Sequence, residues 1–361
     1  MLKVQEFLKQ NSLEKLKGEF GISVKPHDTH PLVILDYCQI NSPKTHPIVM
    51  ECRGLVLELD TWKVVSKGYD RFFNVGEALE ITNKFNWNDF YARTKEDGSY
   101  IHVFNYNDQW LVKTRNSFAQ GKLEGCDYTW EQLFWETQKN WEVEKEPKGL
   151  VFIFELCSVY NKVVRHYSEP KSYLLGIYDV YENILLEFFK DDIFDFCVPQ
   201  HYYFKNLNEV ENFIKQKEEE DKTFEGLVLT DSNGLKLKIK SRAYLALHRL
   251  KGNGNIFLDK NLVPLVLSGE TDEVISYYPE IKESLHSLKE KLDCELEKLI
   301  TLNYICGGVE DQKRFAMTIK HSPFSSILFS LRKIHGTCIP ESAIRDKWRD
   351  SEQLILKWLE G

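Results

Sequence analysis

Strand patterns fill about the first two thirds of the sequence, and helical patterns replace them after residue 241. The clearest strand pair is 225–230 and 235–240, which the Asp-Ser-Asn-Gly turn at 231–234 joins into a hairpin. Because strands joined by short turns pair antiparallel, we predict antiparallel sheets in this part of the chain. The fold class that we expect is α+β.

The change of pattern also predicts two domains. Apolar residues at helical spacing occur in three long segments, at 271–302, 310–333 and 341–360. A stretch rich in glycine and asparagine at 251–255 precedes them and is typical of a linker. We therefore expect an antiparallel-sheet domain over 1–250, followed by an all-helical domain over 255–361.

Shorter segments complete the expected first domain. Apolar spacing predicts one helix within 1–20 and another over 207–221. Apolar or alternating segments predict further strands, at 32–38, 99–106, 109–115, 150–157, 162–166 and 172–181.

Composition excludes several classes of protein. The net charge of −8 argues against a protein that coats nucleic acid by bulk charge, so phosphate binding must come from local clusters. The eight cysteines are scattered without a CxxC pair, and the histidines form no HExxH pattern, which indicates free thiols and no zinc site. No apolar run reaches membrane-spanning length, and Met1–Glu6 does not resemble a signal peptide. We expect a soluble, cytoplasmic monomer that binds no membrane.

A single lysine in a tight turn is the first candidate for chemistry. Lys95 lies in Thr94-Lys95-Glu96-Asp97-Gly98-Ser99, between two segments that are typical of strands. A lysine at a strand end is placed to react, although most Lys-x-Asp-Gly sequences are ordinary surface turns. We expect Glu96 to face solvent.

Two carboxylates stand in apolar surroundings. Glu155 interrupts the run from Leu150 to Cys157, and Glu225 opens the apolar strand that follows it. A buried carboxylate is costly unless a cation, a metal or a ligand hydroxyl meets it. A structural ion pair and a functional site are equally compatible with this pattern.

Alternation places three lysines on one face of a strand. Lys236, Lys238 and Lys240 share one face of 235–240, opposite the apolar residues. The lysines indicate either a solvated edge strand or a surface that a polyphosphate covers. Arg53 and Arg115 are further cations for the same site.

Together these residues suit attack of a lysine amine on a phosphate. The amine must be neutral to attack, whereas the pKa of a free lysine is about 10.4. We expect burial and nearby cations, a metal or Lys238 and Lys240, to lower the pKa of Lys95. The carboxylates would hold Mg²⁺, which neutralises phosphate charge as the new bond forms.

The order of these motifs resembles that of a known superfamily. They occur as Lys95-Glu96-Asp97-Gly98, Phe154-Glu155, Glu225-Gly226 and Lys238-Ile239-Lys240. This order is similar to motifs I, III, IV and V of the covalent nucleotidyltransferases, which include ATP-dependent RNA and DNA ligases and mRNA capping enzymes. The 1–250 domain thereby resembles a nucleotidyltransferase (adenylation) domain.

The finer resemblance is to the RNA ligase 1 family of T-even phages. It rests on further residues, namely Glu51-Cys52-Arg53-Gly54, Phe72-Phe73-Asn74, the full Thr94–Ser99 segment, and Lys238–Ser241 followed by Tyr244 and His248. It covers residues 45–250 and, more loosely, the helical domain.

The resemblance implies a three-step reaction with ATP and Mg²⁺ or Mn²⁺. Lys95 attacks the α-phosphate of ATP, which forms lysyl-AMP and releases pyrophosphate. The AMP passes to the 5′-phosphate of an RNA strand, and a 3′-hydroxyl then attacks that activated end, seals the strands and releases AMP.

The resemblance also implies roles for individual residues. The catalytic group would be Lys95, Glu225, Lys238 and Lys240. The metal would be held by Asp97, Glu155 and Glu225, with Glu155 also near the ribose hydroxyls. The nucleotide would be bound by Arg53, Arg71, Thr94, Lys95, Gly98, Arg115, Glu155, Lys238, Lys240 and Tyr244. Arg71 and Arg115 depart from the family, which commonly has lysine at both positions, so the phosphate geometry there would differ.

The helical domain favours one branch of the superfamily. DNA ligases and capping enzymes usually append a β-rich OB-fold, whereas 255–361 is predicted to be helical. In the RNA ligase 1 family, the helical domain is associated with recognition of tRNA that is broken in its anticodon loop. Basic residues are frequent here, at Lys313, Arg314, Lys320, Arg332, Lys333, Arg345, Lys347 and Arg349, and indicate either an RNA surface or a solvated helix face.

The sequence therefore predicts an ATP-dependent RNA ligase that repairs RNA such as nicked tRNA. No kinase or phosphatase motif is present, so a separate enzyme would supply the 5′-phosphate and 3′-hydroxyl ends. The alternatives are a DNA ligase, a capping-type guanylyltransferase or a catalytically silent RNA-binding relative.

Overall fold

The computed structural model describes residues 1–123, 126–161, 164–165, 167–188, 196–242, 244–245, 259–269, 271–277 and 279–360. The chain divides into two compact units, Met1–His248 and Arg249–Gly361. The linker predicted at 251–255 lies outside the described residues.

The first unit mixes helices with many short strands. Its strands are β1 (Ile22–Pro26), β2 (Leu32–Tyr37), β3 (Arg53–Glu58), β4 (Val64–Ser66), β5 (Phe73–Asn74), β6 (Phe90–Thr94), β7 (Ser99–Tyr106), β8 (Gln109–Thr114), β9 (Leu150–Cys157), β10 (Lys171–Asp179), β11 (Ile184–Leu186), β12 (His201–Tyr203), β13 (Gly226–Asp231) and β14 (Lys236–Lys240). Its helices are α1 (Lys3–Leu8), α2 (Leu13–Phe20), α3 (Pro47–Glu51), α4 (Leu79–Thr82), α5 (Trp130–Thr137) and α6 (Leu207–Glu220).

The strands form three sheets. Their orders are β1-β2-β3-β4 in the first sheet, β11-β10-β9-β7-β8 in the second, and β12-β6-β13-β14-β5 in the third. Neighbouring strands pair antiparallel except β5 and β14, which are parallel. The predicted α+β class with antiparallel sheets is confirmed.

The second sheet is covered on both faces, which explains the continuous apolar run of β9. Phe152 and Phe154 pack with α5 on one face, through Phe134. Val151 and Ile153 pack on the other face with apolar residues of the first sheet, such as Ile34. A strand buried on both faces needs apolar residues at successive positions, so alternation is absent. The single carboxylate in β9, Glu155, therefore stands out.

The third sheet contains the predicted hairpin. Leu229 of β13 pairs with Leu237 of β14, and β13 also pairs with β6. Leu227, Leu229 and Leu237 are buried under α6. The hairpin prediction for 225–240 is confirmed.

Two local predictions differ from the structure. The single helix expected in 1–20 is two helices, because Ser12 caps α2 by accepting a hydrogen bond from the Lys15 backbone N–H. The strand expected at 162–166 is absent at Val164 and Arg165, and the remaining three positions lie outside the described residues.

Every element described in the second unit is a helix. They are α7 (Asp259–Ser268), α8 (Thr271–Tyr277), α9 (Lys282–Ile305), α10 (Gln312–Ile319), α11 (Ser325–His335), α12 (Glu341–Arg349) and α13 (Glu352–Leu359), apart from a short 3₁₀ turn at Pro279–Ile281. The long patterns at 310–333 and 341–360 each correspond to two helices. Apolar residues of α9, α11 and α12 share one core. Among the described helices, none is long and apolar enough to cross a membrane.

Candidate active site

A cleft of about 510 Å³, including its open mouth, receives side chains from all three sheets. Arg53 belongs to the first sheet, Tyr100 and Glu155 belong to the second, and Val228 belongs to the third. Lys95 lines the same cleft, directly after the last residue of β6. Residues far apart in the sequence thus meet around the predicted nucleophile.

The backbone of β13 places Lys95 beside Glu225. The Lys95 N–H donates to the Gly226 carbonyl at 2.9 Å, and Lys95 Nζ lies 2.8 Å from Glu225 Oε1. Gly226 has a φ of +140°, and a Cβ there would lie 2.0 Å from the Ile239 carbonyl oxygen. Only glycine fits this close approach of the paired strands β13 and β14, and Glu225, the residue before it, lies within reach of Lys95.

Burial and nearby carboxylates have opposite effects on the pKa of Lys95. Burial alone would lower its pKa, but the Glu225 and Glu155 carboxylates outweigh burial, and the pKa of Lys95 is raised. The prediction that burial and nearby cations lower this pKa is therefore wrong for this arrangement. Lys95 is an ammonium group held in an ion pair.

Glu225 has a second carboxylate oxygen that is available to a ligand. Its side chain is 4 % exposed, and Oε1 faces Lys95 and, at 3.8 Å, Lys240. Oε2 is buried and has no hydrogen-bond partner among the described residues. A buried acceptor without a donor is uncommon and fits a site for a cation.

Glu155 reaches the same cleft from β9. Burial raises the pKa of its carboxyl to about 7, against the opposing effect of Lys95. Within the described part of the chain, no group of three His, Cys, Asp or Glu side chains forms a metal cage. Mg²⁺ is commonly held by one or two carboxylates together with substrate phosphates. Glu155 and Glu225 fit that pattern.

Asp97 is engaged by the protein itself. Its Oδ2 accepts hydrogen bonds from the Val164 and Arg165 backbone N–H groups, at 2.8 and 2.7 Å, and its Oδ1 accepts one from Tyr244 Oη at 3.0 Å. The geometry gives Asp97 and Tyr244 a role in holding the loop after β9 and the segment after β14. Metal binding by Asp97 remains a prediction.

Glu96 does not face solvent, and that prediction is wrong. Its side chain is 6 % exposed, lines the cleft and lies 3.8 Å from Arg165 Nη1. Burial raises the pKa of its carboxyl. Gly98 packs the same turn against β9, where a Cβ would lie 2.4 Å from the Leu156 carbonyl oxygen.

Arg53 presents a donor that the described residues do not use. Its guanidinium lies 4.3 Å from the Tyr100 ring centre and 5.2 Å from that of Phe72. Nη1 is buried and has no hydrogen-bond partner in the described ranges. A cation held against two aromatic rings in the cleft, with a buried N–H to spare, is suited to an anionic ligand.

Arg71 and Arg115 form a separate cluster. Their guanidinium carbons lie 4.1 and 4.2 Å from the centre of the Tyr37 ring. Arg115 Nε donates to Asp36 Oδ1 at 3.0 Å, and Arg71 Nη2 donates to Gln39 Oε1 at 3.2 Å. Neither arginine is among the residues that line the cleft. Their contact with a nucleotide stays a prediction.

The three strand lysines are not equivalent. Lys236 Nζ donates to Glu187 Oε2 at 2.7 Å and is committed to that ion pair. Lys240 lies near Glu225, as described above, and Lys238 pairs in register with Val228, which lines the cleft.

Thr94, also predicted in the site, lines the cleft next to Lys95.

Sequence reasoning missed Glu187 and Arg93, and it did not pair Lys236 with them. Burial alone would raise the pKa of this carboxyl, but Arg93 and Lys236 bring it down to about 2. The signal was available, because Glu187 lies between Leu186 and Phe188, and Arg93 lies in an apolar strand. The reasoning that singled out Glu155 would have singled out both.

Comparison with known proteins identifies the family of the chain. A family described as RNA ligase matches residues 51–244, more than half of the chain. A protein of Autographa californica nuclear polyhedrosis virus, named as a bifunctional polynucleotide kinase/RNA ligase, is 29 % identical over 355 residues, which cover 92 % of this chain and 50 % of that protein. The chain thus spans half the length of this relative.

Two further proteins are similar. The RNA ligase of Rhodothermus phage RM378 is 24 % identical over 348 residues, covering 75 % of this chain and 78 % of the relative. An archaeal ATP-dependent RNA ligase shares the fold, with a TM-score of 0.50, 14 % identity and coverage of 89 % of each chain. The chain belongs to the RNA ligase family.

Proposed function

We propose that the protein is an ATP-dependent RNA ligase that works through lysyl-AMP. The observation that carries the proposal is the Lys95–Glu225 pair at 2.8 Å in a cleft that also holds Glu155 and the buried Nη1 of Arg53. These groups provide a nucleophile, two carboxylates and an N–H group that can donate a hydrogen bond to a phosphate.

Each residue has a role in the first step. Lys95 Nζ attacks the α-phosphate of ATP and forms an N–P bond, while the bond to pyrophosphate breaks. Nζ must first lose a proton, and Glu225 Oε1 is the acceptor within hydrogen-bond distance. Arg53, with Lys238 and Lys240, would bind the phosphates and stabilise the charge that develops on them.

A divalent cation fits the two carboxylates. Mg²⁺ or Mn²⁺ would supply positive charge against the phosphates, held by Glu225 Oε2 and Glu155. Both carboxylates raise the pKa of Lys95, so any charge that neutralises them favours the reactive amine. Asp97 would act mainly by keeping the loop after β9 in place.

The later steps involve RNA. The AMP would pass to a 5′-phosphate, and a 3′-hydroxyl would displace it to seal the strand. The viral relative is named for kinase and ligase activities together, and this chain matches half of its length. This supports the proposal that a separate activity prepares the ends, with nicked tRNA as one substrate. The cytoplasm remains the expected compartment.

Labelling with ATP tests the proposal. The purified protein, incubated with α-labelled ATP and Mg²⁺, should retain the label covalently, and Lys95→Ala should abolish it. Lys84→Ala, which changes an exposed lysine, should keep the label. If the wild-type protein forms no adenylate, the proposal fails.

Substrate competition separates the alternatives. Sealing of single-stranded RNA or nicked tRNA, in preference to nicked DNA, is expected. Covalent labelling by GTP in place of ATP would indicate a capping-type enzyme. RNA binding without any covalent label would indicate a catalytically silent relative.

A further inference from the structure

A buried ion-pair cluster borders the cleft, and three of its members, Tyr69, Arg93 and Lys236, line the cleft themselves. Glu187 follows β11 and accepts hydrogen bonds from four side chains, and we call this cluster the Glu187 brace. Its donors are Tyr69 Oη at 2.7 Å, Tyr91 Oη at 2.7 Å, Lys236 Nζ at 2.7 Å and Arg93 Nη2. The side chains of Glu187, Arg93 and Lys236 are each at most 10 % exposed. The cluster is therefore largely shielded from solvent.

The Glu187 brace connects two sheets. Tyr91 and Arg93 belong to β6 and Lys236 to β14, all in the third sheet, whereas Glu187 directly follows β11 of the second sheet. Arg93 Nη1 also donates to the carbonyl of Leu175, in β10, at 2.6 Å. Both sheets supply residues of the cleft, because Lys95 directly follows β6 and Glu155 lies in β9.

Arg93 lies in β6, two residues before Lys95, which directly follows the strand. Its guanidinium is held at three points, by Leu175 O, Glu187 and Tyr69 Oη at 3.0 Å. The end of β6 is thereby fixed relative to the second sheet. The position of Lys95 Nζ relative to a phosphate bound near Glu155 and Arg53 depends on that attachment.

We propose that Glu187 is a positioning residue for the attack of Lys95 on the α-phosphate. It acts through Arg93 and Lys236 and touches no substrate. The inference rests on the proposed function and adds to it a residue that determines the geometry of the first step. Attack requires the reacting atoms about 3–3.5 Å apart, and a misplacement of about 1 Å costs up to about 100-fold in rate.

The effect should fall on one step of the reaction. Glu187→Gln keeps the size of the side chain but removes its charge, so Arg93 and Lys236 lose their shared anion. We expect the single-turnover rate of lysyl-AMP formation at saturating ATP to fall roughly 10- to 100-fold. The ATP concentration at half-maximal rate should change by less than about threefold, since Arg53 and Glu155 are untouched.

Sealing of pre-adenylated RNA provides the second readout. That reaction does not use Lys95 as a nucleophile, so Glu187→Gln should retain it within about threefold of wild type. Glu182→Gln, an exposed carboxylate in the neighbouring hairpin turn, is the matched control and should behave as wild type in both assays.

Tyr91→Phe covers the case in which Glu187→Gln does not fold. It removes one donor to Glu187 without changing charge, and it should lower the same step by a smaller factor, about two- to tenfold. Equal adenylation rates in wild type and the folded variants would overturn the inference. Parallel loss of adenylation and sealing would also overturn it, because that result indicates general damage. A wild-type protein without adenylation would instead refute the proposed function.

Discussion

Gly226 shows how one residue without a side chain determines the site. Gly226 pairs with Lys240 of the neighbouring strand β14 so closely that a methyl group on its Cα would lie 2.0 Å from the Ile239 carbonyl oxygen and 2.8 Å from Lys240 Cα. The preceding residue is Glu225, and the Gly226 carbonyl accepts the Lys95 N–H. Lys95 and its carboxylate partner Glu225 are thus brought together beside one backbone contact.

Replacing this glycine should be far more harmful than replacing another that also has a positive φ. Gly226→Ala should lower the melting temperature and abolish adenylate formation, because Ile239 or Glu225 must move. Gly234 has a φ of +79°, but no described atom lies within 4 Å of the position that an added methyl group would take. Gly234→Ala should therefore cost only about 1–2 kcal/mol of backbone strain. Thermal unfolding and ATP labelling of both variants check this, and equal effects would show that strain, not the close contact, governs Gly226.

At the scale of the elements, the strands were largely predictable and their partners were not. The turn at 231–234 and the alternation of 235–240 are local signals, and both correctly predicted the hairpin of β13 and β14. Contacts such as Glu187 with Arg93 join segments 94 residues apart and depend on the order of strands within a sheet. Local periodicity contains no information about that order. For the same reason Lys236 was grouped with Lys238 and Lys240, although Glu187 binds it.

Part of the stability that the protein loses in acid should come from the Glu187 brace. The folded protein holds the pKa of Glu187 at about 2, below its ordinary value of 4.5. A carboxyl with a depressed pKa contributes stability above pH 4.5, and that contribution is lost as the pH falls from 4.5 towards 2. It amounts to at most about 3 kcal/mol.

Urea unfolding at several pH values measures this contribution. The difference in free energy of unfolding between wild type and Glu187→Gln should be largest at about pH 6–7 and shrink below about pH 4.5. Buried His102, whose pKa is lowered by burial from 6.5, also destabilises the fold in acid, but it does so equally in both proteins. A difference that does not depend on pH would argue against a charged Glu187.

At the scale of the whole molecule, the two units have separate cores. The apolar cluster of the second unit contains residues 262–359 only, and the four other clusters lie within the first unit. Three of the basic residues considered for RNA binding make internal contacts. Arg332 donates to the Val309 and Glu310 carbonyls, Arg345 pairs with Glu341 and Glu297, and Arg349 pairs with Asp346. A basic RNA surface would depend mainly on the lysines and on Arg314.

Removal of the second unit should separate nucleotide chemistry from RNA selection. All residues that line the cleft belong to the first unit, so a chain ending at residue 250 should still form the adenylate. Its sealing of nicked tRNA should fall more than its sealing of a short single-stranded RNA. Labelling with ATP and competition between the two RNAs check this. Full loss of adenylation in a folded truncated protein would contradict it.

The ion pair between Lys95 and Glu225 has a consequence for side reactions of the Lys95 amine. Acyl donors and aldehydes modify neutral amines, and a lysine held as an ammonium by two carboxylates offers little neutral amine near neutral pH. For this reason we expect Lys95 to resist adventitious acetylation. In the proposed reaction, Lys95 would lose this charge only when it attacks ATP.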